Sequence, residues 1–396
     1  MRVLVLTHNY PRFAGDPAGA FVARLARATH AAGHEVRVLT PHVPGTVEHE
    51  VDGGVVVTRF RYAPERLERV GYTGSLHRDA LTKPVVALAL PGYFWRYRSV
   101  ARRALRDFRP DVVHAHWWVP SGAVAATLRT PFLVTSHGSD VRLLENVPAA
   151  RSFARRVLSR ASAVTTVSTF LAADLRRFLP EVDVPVKVLP MPLDVAHFEC
   201  GREEVKASPP RILYAGNLVA SKGVDLLIEA VARLRERGVD CELRILGEGP
   251  ERKALDALAR QRGIAGAVTF SPFVSQSAMP AEYGRSTVTV LPTRGNAEGL
   301  GLTLVEALLA GSAVVGTPAG GIPEVVVDDE TGLIARDGDA VHLAQQIGRL
   351  LAEPELRARL VRRGAERARE RHAAIAAAAR FIDLYEKVRG GNIRAS

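Results

Sequence analysis

The chain has 396 residues, of which 47% are hydrophobic and 24% are charged. This length and composition are typical of a globular protein with two domains, and they exclude a disordered, collagen-like or coiled-coil chain. The formal net charge of +11 arises in residues 1–190, where 26 Lys and Arg outnumber 15 Asp and Glu, because the remaining residues hold 27 of each kind. Two explanations stay open: an anionic partner of the first half, or a general preference for arginine, which supplies 47 of the 53 basic residues.

Three further features bear on location and chemistry. Met1 is followed directly by a strand-like run at Arg2–Thr7 rather than by the longer apolar stretch of a secretory signal, so we expect a cytoplasmic protein. The longest weakly charged apolar run, Pro84–Trp95, is shorter than the roughly 20 residues needed to cross a bilayer. Cys200 and Cys241 lack the C-x-x-C spacing of a zinc or redox site.

Short runs rich in Val, Leu and Thr alternate with helical patterns along the first half of the chain. The predicted strands are Arg2–Thr7, Glu35–Thr40, Val112–His114, Phe132–Ser136 and Ala163–Val167. Between them, Phe21–Ala32 and Tyr97–Phe108 have the spacing of amphipathic helices. This alternation predicts a parallel sheet with helices on both faces.

The alternation stops at the prolines of Pro185–Pro210 and then starts again. The predicted strands of the second half are Arg211–Ala215, Glu242–Leu246, Val268–Phe270, Thr287–Leu291 and Ala313–Gly316. The predicted helices are Val224–Arg237, Pro250–Arg262, Thr303–Ala310 and an Ala-rich helix from about Arg371 to Val388.

Two such series predict two doubly wound, Rossmann-like α/β domains facing each other across a cleft. We expect an N-terminal domain at residues 1–190, a linker at 191–208, a C-terminal domain at 209–370 and a final helix at 371–396, which could cross back to the first domain. Because ligands of open parallel sheets bind beyond the carboxyl ends of the strands, the cleft is the expected site.

The common cofactor motifs are missing from the sequence. Gly247 and Gly249 begin a G-x-G pattern, but Arg252 stands where G-x-G-x-x-G needs its third glycine, and G-x-x-x-x-G-K-[ST] does not occur. Dehydrogenases and P-loop NTPases therefore lose most of their support.

The segment Pro292–Thr331 holds the pattern richest in chemistry. A strand leads into a glycine-bearing loop and then a helix, whose first amides suit a phosphate. Glu298 and Glu306 flank this point, and because carboxylates repel phosphate, they suit the hydroxyls of a sugar and of a ribose. The alternative is a helix-capping carboxylate and a solvated helix glutamate. The neighbouring Gly299 and Gly301, which allow close backbone approach, favour the ligand site.

These motifs resemble those of the retaining glycosyltransferases of family 4. The pattern E-x7-E from Glu298 to Glu306, followed by G-G-x-P-E at 320–324, resembles the donor site of that family. The likeness covers nearly the whole chain, through N-Y-P at 9–11, the glycine loop at 15–19, G-H-E-V at 33–36, S-H-G-S-D at 136–140, V-L-P-M-P-L-D at 188–194 and G-N-L-V-A-S-K-G at 216–223. The resemblance implies the GT-B fold, in which two Rossmann-like domains share one active site.

The resemblance also implies roles for individual residues. The catalytic residues would be Glu298 on the donor sugar, Lys222 on the diphosphate and His137 beside the anomeric centre. Glu306 would bind the ribose, and Gly19 would let the first-domain backbone approach the phosphate. Further donor contacts would come from Gly216, Asn217, Gly247, Phe273, Val274, Leu302 and Thr303.

One departure from the family and one short motif bear on the charge of this site. Asn217 stands where the family commonly has an arginine, which leaves Lys222 without a second cation unless Arg294 or another basic residue compensates. Asp337 and Asp339 match a D-x-D metal motif, but the pattern is short and follows a surface turn. We therefore expect no metal and no other cofactor.

The implied reaction is transfer of a hexosyl group from a UDP- or GDP-linked sugar to an acceptor hydroxyl, with retention, by front-face attack. The acceptor would be a small molecule, glycan or lipid. The basic first half leaves an anionic acceptor, or a contact with the inner face of the membrane, open. Pro84–Trp95 with the arginines that follow would be an interfacial helix or a core-packed helix with a basic outer face.

Other classes of protein fit parts of the pattern. A nucleotide-sugar epimerase or a sugar phosphorylase could use the same fold, and a sugar-binding protein could lack catalysis. A basic nucleic-acid- or membrane-binding protein would explain the charge. Nucleic-acid binding is not favoured, because aromatic residues do not alternate with the basic ones.

Overall fold

The computed structural model describes residues 1–68, 70, 84–272 and 274–391. The chain divides into two compact units: residues 1–193 together with the segment from Ala374 onward, and Asp194–Ala373. Each unit is an α/β domain with its own sheet. The predicted pair of doubly wound domains is therefore confirmed.

Within the described residues, the first unit has one sheet of eight strands in the order β3-β4-β2-β1-β5-β6-β7-β8. The strands are β1 (Arg2–Leu6), β2 (Glu35–Pro41), β3 (His49–Asp52), β4 (Val55–Phe60), β5 (Val112–His116), β6 (Phe132–Ser136), β7 (Ala163–Thr166) and β8 (Val186–Val188). Apart from the antiparallel β3–β4 hairpin, neighbouring strands are parallel. Every residue of β5 and β6 is buried, as expected for central strands covered on both faces.

The helices of the first unit cover this sheet. They are α1 (Ala20–Ala31), α2 (Pro84–Phe108), α3 (Ala123–Ala125), α4 (Ser139–Asn146), α5 (Ala150–Leu158), α6 (Thr169–Phe178) and, from the end of the chain, α15 (Ala374–Arg389). α15 packs on α1 and against β5, where the Tyr385 hydroxyl lies 2.8 Å from His114 Nδ1. The last helix is thus part of the first unit.

The described part of the second unit has a fully parallel sheet of six strands in the order β11-β10-β9-β12-β13-β14. The strands are β9 (Arg211–Ala215), β10 (Glu242–Leu246), β11 (Val268–Ser271), β12 (Val288–Leu291), β13 (Ala313–Gly316) and β14 (Leu333–Ile334). The strand order reverses direction between β9 and β12, which is where ligands of doubly wound sheets bind.

The helices of the second unit are α7 (Val195–Glu199), α8 (Val224–Glu236), α9 (Arg252–Gln261), α10 (Met279–Arg285), α11 (Leu302–Leu309), α12 (Ile322–Val325), α13 (Ala340–Ala352) and α14 (Pro354–His372). Of the residues predicted to form a linker, 194–208 belong to this unit, and Phe198 of α7 is fully buried in it.

Two segments differ from the sequence-based expectation. The β3–β4 hairpin was not predicted, because its short strands carry no long apolar run. The predicted C-terminal helix is interrupted at Ala373, whose backbone leaves the helical region at φ −55° and ψ 133°. This break separates α14 of the second unit from α15 of the first.

α2 is a single 25-residue helix rather than an apolar run followed by a shorter helix. Val86, Tyr93, Tyr97 and Phe108 form its buried face, and the Tyr97 ring stacks on Phe60 with centroids 4.5 Å apart. Among the described residues, no helix combines the length and the apolarity needed to span a membrane.

Candidate active site

Lys222 and Glu298, predicted from separate motifs, are in direct contact. Lys222 ends a 3₁₀ turn after β9, and Glu298 lies in the loop between β12 and α11. Lys222 Nζ donates to Glu298 Oε2 at 2.6 Å and to the Ala297 carbonyl at 3.4 Å. Both side chains are 19% exposed, so the ion pair is largely shielded yet reachable from solvent.

A glycine pair holds the backbone of Glu298 in place. The Gly321 amide donates to the Glu298 carbonyl at 3.1 Å. A Cβ on Gly320 would stand 1.9 Å from that same oxygen, and a Cβ on Gly321 would stand 2.3 Å from the Gly299 carbonyl. The G-G-x-P-E motif therefore lets the loop after β13 touch the Glu298 loop, which larger residues would prevent.

The start of α11 has the properties of an anion site. Gly301 precedes the helix at φ 87°, and among the described side chains none caps the helix. The first amides of the helix, which include those of Leu302 and Thr303, therefore suit an anionic oxygen. The loop before this helix carries Glu298, the partner of Lys222, so the predicted phosphate cradle would stand beside that ion pair.

Glu306 stands on the second turn of α11 and is half-buried. Its Oε2 accepts a hydrogen bond of 2.9 Å from the hydroxyl of Tyr283, a residue of α10 that is 1% exposed. Burial, followed by the charge of Glu306, raises the pKa of Tyr283 well above its usual value. The phenol therefore remains a donor to the carboxylate.

Gly216 and Gly247 bring together the loops that follow β9 and β10. A Cβ on Gly247 would stand 1.9 Å from the Gly216 carbonyl, so only glycine permits this approach. Asn217 is exposed, and its carbonyl accepts a 2.9 Å hydrogen bond from the Tyr214 hydroxyl. Val274 is half-buried after β11; the predicted contact of Phe273 lies outside the described residues.

Arg294 does not supply a free cation for the missing arginine at position 217. Its guanidinium forms a bidentate pair with Asp225, with Nη1 to Oδ1 at 2.8 Å and Nη2 to Oδ2 at 2.5 Å. The Nη1 group also donates to the Ala220 carbonyl at 2.9 Å. Arg294 thus anchors the turn that carries Lys222, and its charge is balanced by Asp225.

Asp337 and Asp339 both have structural partners. Asp337 Oδ2 accepts from the Gly295 amide at 2.9 Å, and Asp339 caps α13 by accepting from the His342 amide at 2.9 Å. That hydrogen bond is the main cause of the lowered pKa of Asp339. In the part of the chain that the structure describes, groups of three or more His, Cys, Asp or Glu suited to a metal ion are not found.

In the first unit, Asp140 organises the loop that carries His137. The buried carboxylate accepts from the amides of His137 at 3.0 Å, Gly138 at 3.2 Å and Trp118 at 3.2 Å. Burial raises the pKa of Asp140 above its usual value. The S-H-G-S-D motif therefore places its histidine through an aspartate that is itself inside the protein.

The His137 imidazole belongs to an aromatic cluster. Its Nε2 lies 3.0 Å from His116 Nδ1, and its ring packs against Trp117 and Phe21 with centroid distances of 4.5 and 4.7 Å. Burial lowers the pKa of His137 well below its usual value, and that of His116 to about 3. Both rings are therefore neutral at physiological pH and hydrogen-bond as neutral imidazoles.

Gly19, two residues before Phe21, closes the loop that begins at Asn9. It has φ 68°, and a Cβ there would stand 2.3 Å from the Asn9 carbonyl. The first unit thus brings Gly19 and His137 to the same neighbourhood, where Phe21 of α1 packs against the His137 ring.

Several residues around these groups were not found from the sequence. His8, whose pKa burial lowers to about 3, packs edge-on to Trp117 at 4.3 Å. Trp117 has φ 66°, a conformation rare for a residue with a side chain. Trp117 belongs to the H-A-H-W-W run at 114–118, whose density of aromatic and imidazole rings is a local signal, whereas the contact between Tyr283 and Glu306 has no local signal in the sequence.

The second unit brings a cation, two carboxylates and the start of α11 to the point where its strand order reverses, a combination that suits a sugar linked to phosphate. Residues 201–367 match the family model described as "Glycosyl transferases group 1", and residues 18–192 match the "Glycosyl transferase 4-like domain". These two matches lie one in each unit.

Curated relatives and a solved structure agree with these matches. The chain is 28% identical to the alpha-D-kanosaminyltransferase of Streptomyces kanamyceticus, covering 81% of this chain and 91% of the relative. It is 28% identical to the GDP-mannose-dependent alpha-(1-6)-phosphatidylinositol monomannoside mannosyltransferase of Mycolicibacterium smegmatis, covering 89% of this chain and 90% of the relative. The fold matches that of the sucrose-phosphate synthase of Thermosynechococcus elongatus with a TM-score of 0.79 and 22% identity. The match covers 98% of this chain and 99% of the synthase chain.

The chain therefore belongs to the family-4-type glycosyltransferases with the GT-B fold. It is an enzyme that transfers a glycosyl group from a nucleotide sugar.

Proposed function

We propose that this enzyme transfers a hexosyl group from a UDP- or GDP-linked sugar to an acceptor hydroxyl, with retention of configuration and without a metal ion. The observation that carries the proposal is the contact between Lys222 and Glu298 beside the start of α11. This arrangement supplies a cation and helix amides for a diphosphate next to a carboxylate for sugar hydroxyls.

The chemistry follows from where charge develops. When the bond between the anomeric carbon and the phosphate oxygen breaks, negative charge grows on the leaving diphosphate. Lys222 and the amides of Leu302 and Thr303 stabilise it, and removal of one such donor typically costs about 3 kcal/mol of transition-state free energy. Glu298 accepts hydrogen bonds from the sugar hydroxyls, and the neutral His137 contacts the sugar at the anomeric centre.

Retention needs no protein nucleophile in this scheme. The acceptor oxygen attacks the face that the diphosphate leaves, and the departing phosphate oxygen takes the acceptor proton. Glu298 is bonded to Lys222 and to the Gly299 amide, which suits a hydroxyl-binding role. The partners of Asp337 and Asp339 support activity without a metal, since each carboxylate already accepts a hydrogen bond from a backbone amide.

Different observations support the proposed donor and the proposed acceptor. One relative is named for its use of GDP-mannose and for a phosphatidylinositol-linked acceptor. In this chain, α2 exposes Leu88 (82%) and Trp95 (71%) on the same face as Arg102 and Arg106. A helix face that combines exposed apolar and basic side chains suits an anionic lipid surface. We therefore propose that this part of the first unit makes peripheral contact with the membrane where the acceptor lies.

The donor is tested first by calorimetric binding of UDP, GDP and ADP, and then by turnover of the matching nucleotide sugars with candidate acceptors. We expect micromolar binding of UDP or GDP, a product of unchanged anomeric configuration by NMR, and full activity in EDTA. Glu298→Ala should lose most turnover while its circular dichroism stays that of the parent. Inverted product, or a strict need for Mg²⁺ or Mn²⁺, would overturn the corresponding part of the proposal.

The remaining alternatives give different outcomes in the same assay. An epimerase would convert the donor with acceptor absent, and a phosphorylase would require inorganic phosphate. Membrane contact is tested by co-sedimentation with vesicles containing anionic lipid at low salt. Wild type is expected to bind, and Leu88→Ser/Trp95→Ser to bind at least tenfold more weakly; equal binding of both would exclude this face as the contact.

A further inference from the structure

Tyr283 is bonded to the carboxylate that the proposed function assigns to the ribose. Its hydroxyl donates to Glu306 Oε2 at 2.9 Å, and the residue is 1% exposed. Because burial and the neighbouring charge keep the phenol protonated, Tyr283 is the donor and Glu306 the acceptor of this hydrogen bond. One oxygen of Glu306 is therefore held toward the inside of the domain.

The same phenol lies near a second position on α11. The Thr303 side chain, one turn before Glu306, is beside the Tyr283 hydroxyl and slightly offsets the rise in its pKa. On the other side the Tyr283 ring lies near the fully buried Phe198, with centroids 6.3 Å apart. A buried ring with these neighbours has little freedom, so the carboxylate bonded to it has a defined orientation.

Orientation matters for the ligand that Glu306 is proposed to bind. A glutamate side chain has three rotatable bonds, and fixing them on binding weakens affinity. A carboxylate that is already oriented loses no such freedom and presents its oxygen to adjacent hydroxyls at a set angle. Hydrogen bonds to charged groups are also among the stronger ones in proteins.

We propose that Tyr283 is a positioning residue, which orients Glu306 so that the enzyme recognises the ribose hydroxyls of its nucleotide. This inference rests on the proposed function, because it concerns the nucleotide of that donor. Tyr283 does not touch the substrate, yet it determines how strongly a ribonucleotide is preferred over a deoxyribonucleotide.

The experiment compares affinities for a nucleoside diphosphate and its 2′-deoxy form, using whichever of UDP, GDP and ADP binds wild type best. Wild type is expected to prefer the ribo form at least tenfold. Tyr283→Phe should reduce this preference to less than threefold by weakening the ribo form, with the affinity for the deoxy form unchanged. In turnover, KM for the donor should rise while kcat stays within about threefold.

The chain offers a matched control. Tyr214 is also a buried tyrosine of the second unit, and its hydroxyl donates to the Asn217 carbonyl rather than to Glu306. Tyr214→Phe therefore removes a comparable hydroxyl and should leave the ratio of ribo to deoxy affinity as in wild type. Glu306→Ala should abolish the preference.

The outcomes distinguish failure of the proposed function from failure of the role assigned to Tyr283. If wild type binds none of the three diphosphates, the proposed function fails. If Glu306→Ala removes the preference and Tyr283→Phe retains it, the proposed function stands and the role of Tyr283 is refuted. Should Tyr283→Phe not fold, Tyr283→Phe/Glu306→Ala also removes the carboxylate and so leaves no unpaired buried charge. Compared with Glu306→Ala, it should bind the ribo form equally well, and an added loss of that affinity would refute a role exerted through Glu306.

Discussion

Gly320 offers a way to displace Glu298 without altering any group that could touch the substrate. The residue has φ +55°, and a Cβ there would stand 1.9 Å from the Glu298 carbonyl oxygen. Since real Cβ contacts are essentially never below 3.0 Å, Gly320→Ala must move the Glu298 backbone or its own loop by about 1 Å. The Glu298 carboxylate and its contact with Lys222 are expected to move with it.

The size of the effect has two parts. An alanine in the left-handed region costs about 1–2 kcal/mol of folding stability wherever it occurs. A displacement of about 1 Å in a catalytic group lowers the rate by about 100-fold, which is about 2.7 kcal/mol of transition-state free energy. Gly263 isolates the first part: it has φ +69°, lies in the same unit, and has no described atom within 4 Å of its added Cβ.

The assay measures unfolding by urea and kcat/KM for both variants. Gly263→Ala should lose about 1 kcal/mol of stability and keep wild-type kcat/KM. Gly320→Ala should lose at least as much stability and, while still folded, about 100-fold in kcat/KM. A folded Gly320→Ala protein with wild-type kcat/KM would refute the dependence of catalysis on the position of Glu298.

The other predictions address charge and protonation. The pKa of His8 and His116 is about 3 in the folded protein against 6.5 in the unfolded chain, so the unfolded state binds more protons below pH 6.5. Stability measured by urea should be constant above that pH and then fall by about 1.4 kcal/mol per pH unit for each histidine, and a flat profile from pH 7.5 to 5 would contradict this. Asn217→Arg should tighten binding of the nucleoside diphosphate about tenfold at low salt without changing that of the uncharged nucleoside; equal tightening of both would mean that the added charge is not on the phosphates. Asp140→Ala should destabilise the first unit by about 3 kcal/mol because it leaves three buried amides unpaired, and a change below about 0.5 kcal/mol in urea unfolding would show that water replaces the carboxylate.

The alternation of short apolar runs with helical patterns was enough to predict two parallel-sheet domains, because the spacing of apolar residues is a local property of each strand and helix. The residue pattern likewise singled out Glu298 and Glu306, and the family resemblance singled out Lys222 and His137. Features without a periodic signal were missed: the β3–β4 hairpin is short, and the break at Ala373 lies inside an Ala-rich run that has uniformly high helix propensity.

Only the tertiary structure decided which of these residues meet. Lys222 and Glu298 are 76 positions apart, and Tyr283 and Glu306 are 23 apart on different helices. Their contacts depend on strand order and on glycines that let loops touch, which are properties of the assembled sheet rather than of any segment. The same holds for Arg294, whose ion pair with Asp225 could be recognised only once its loop and the first turn of α8 were placed together. A sequence pattern reflects the residue periodicity within a single helix or strand. A binding site depends on the distances between residues of several helices, strands and loops.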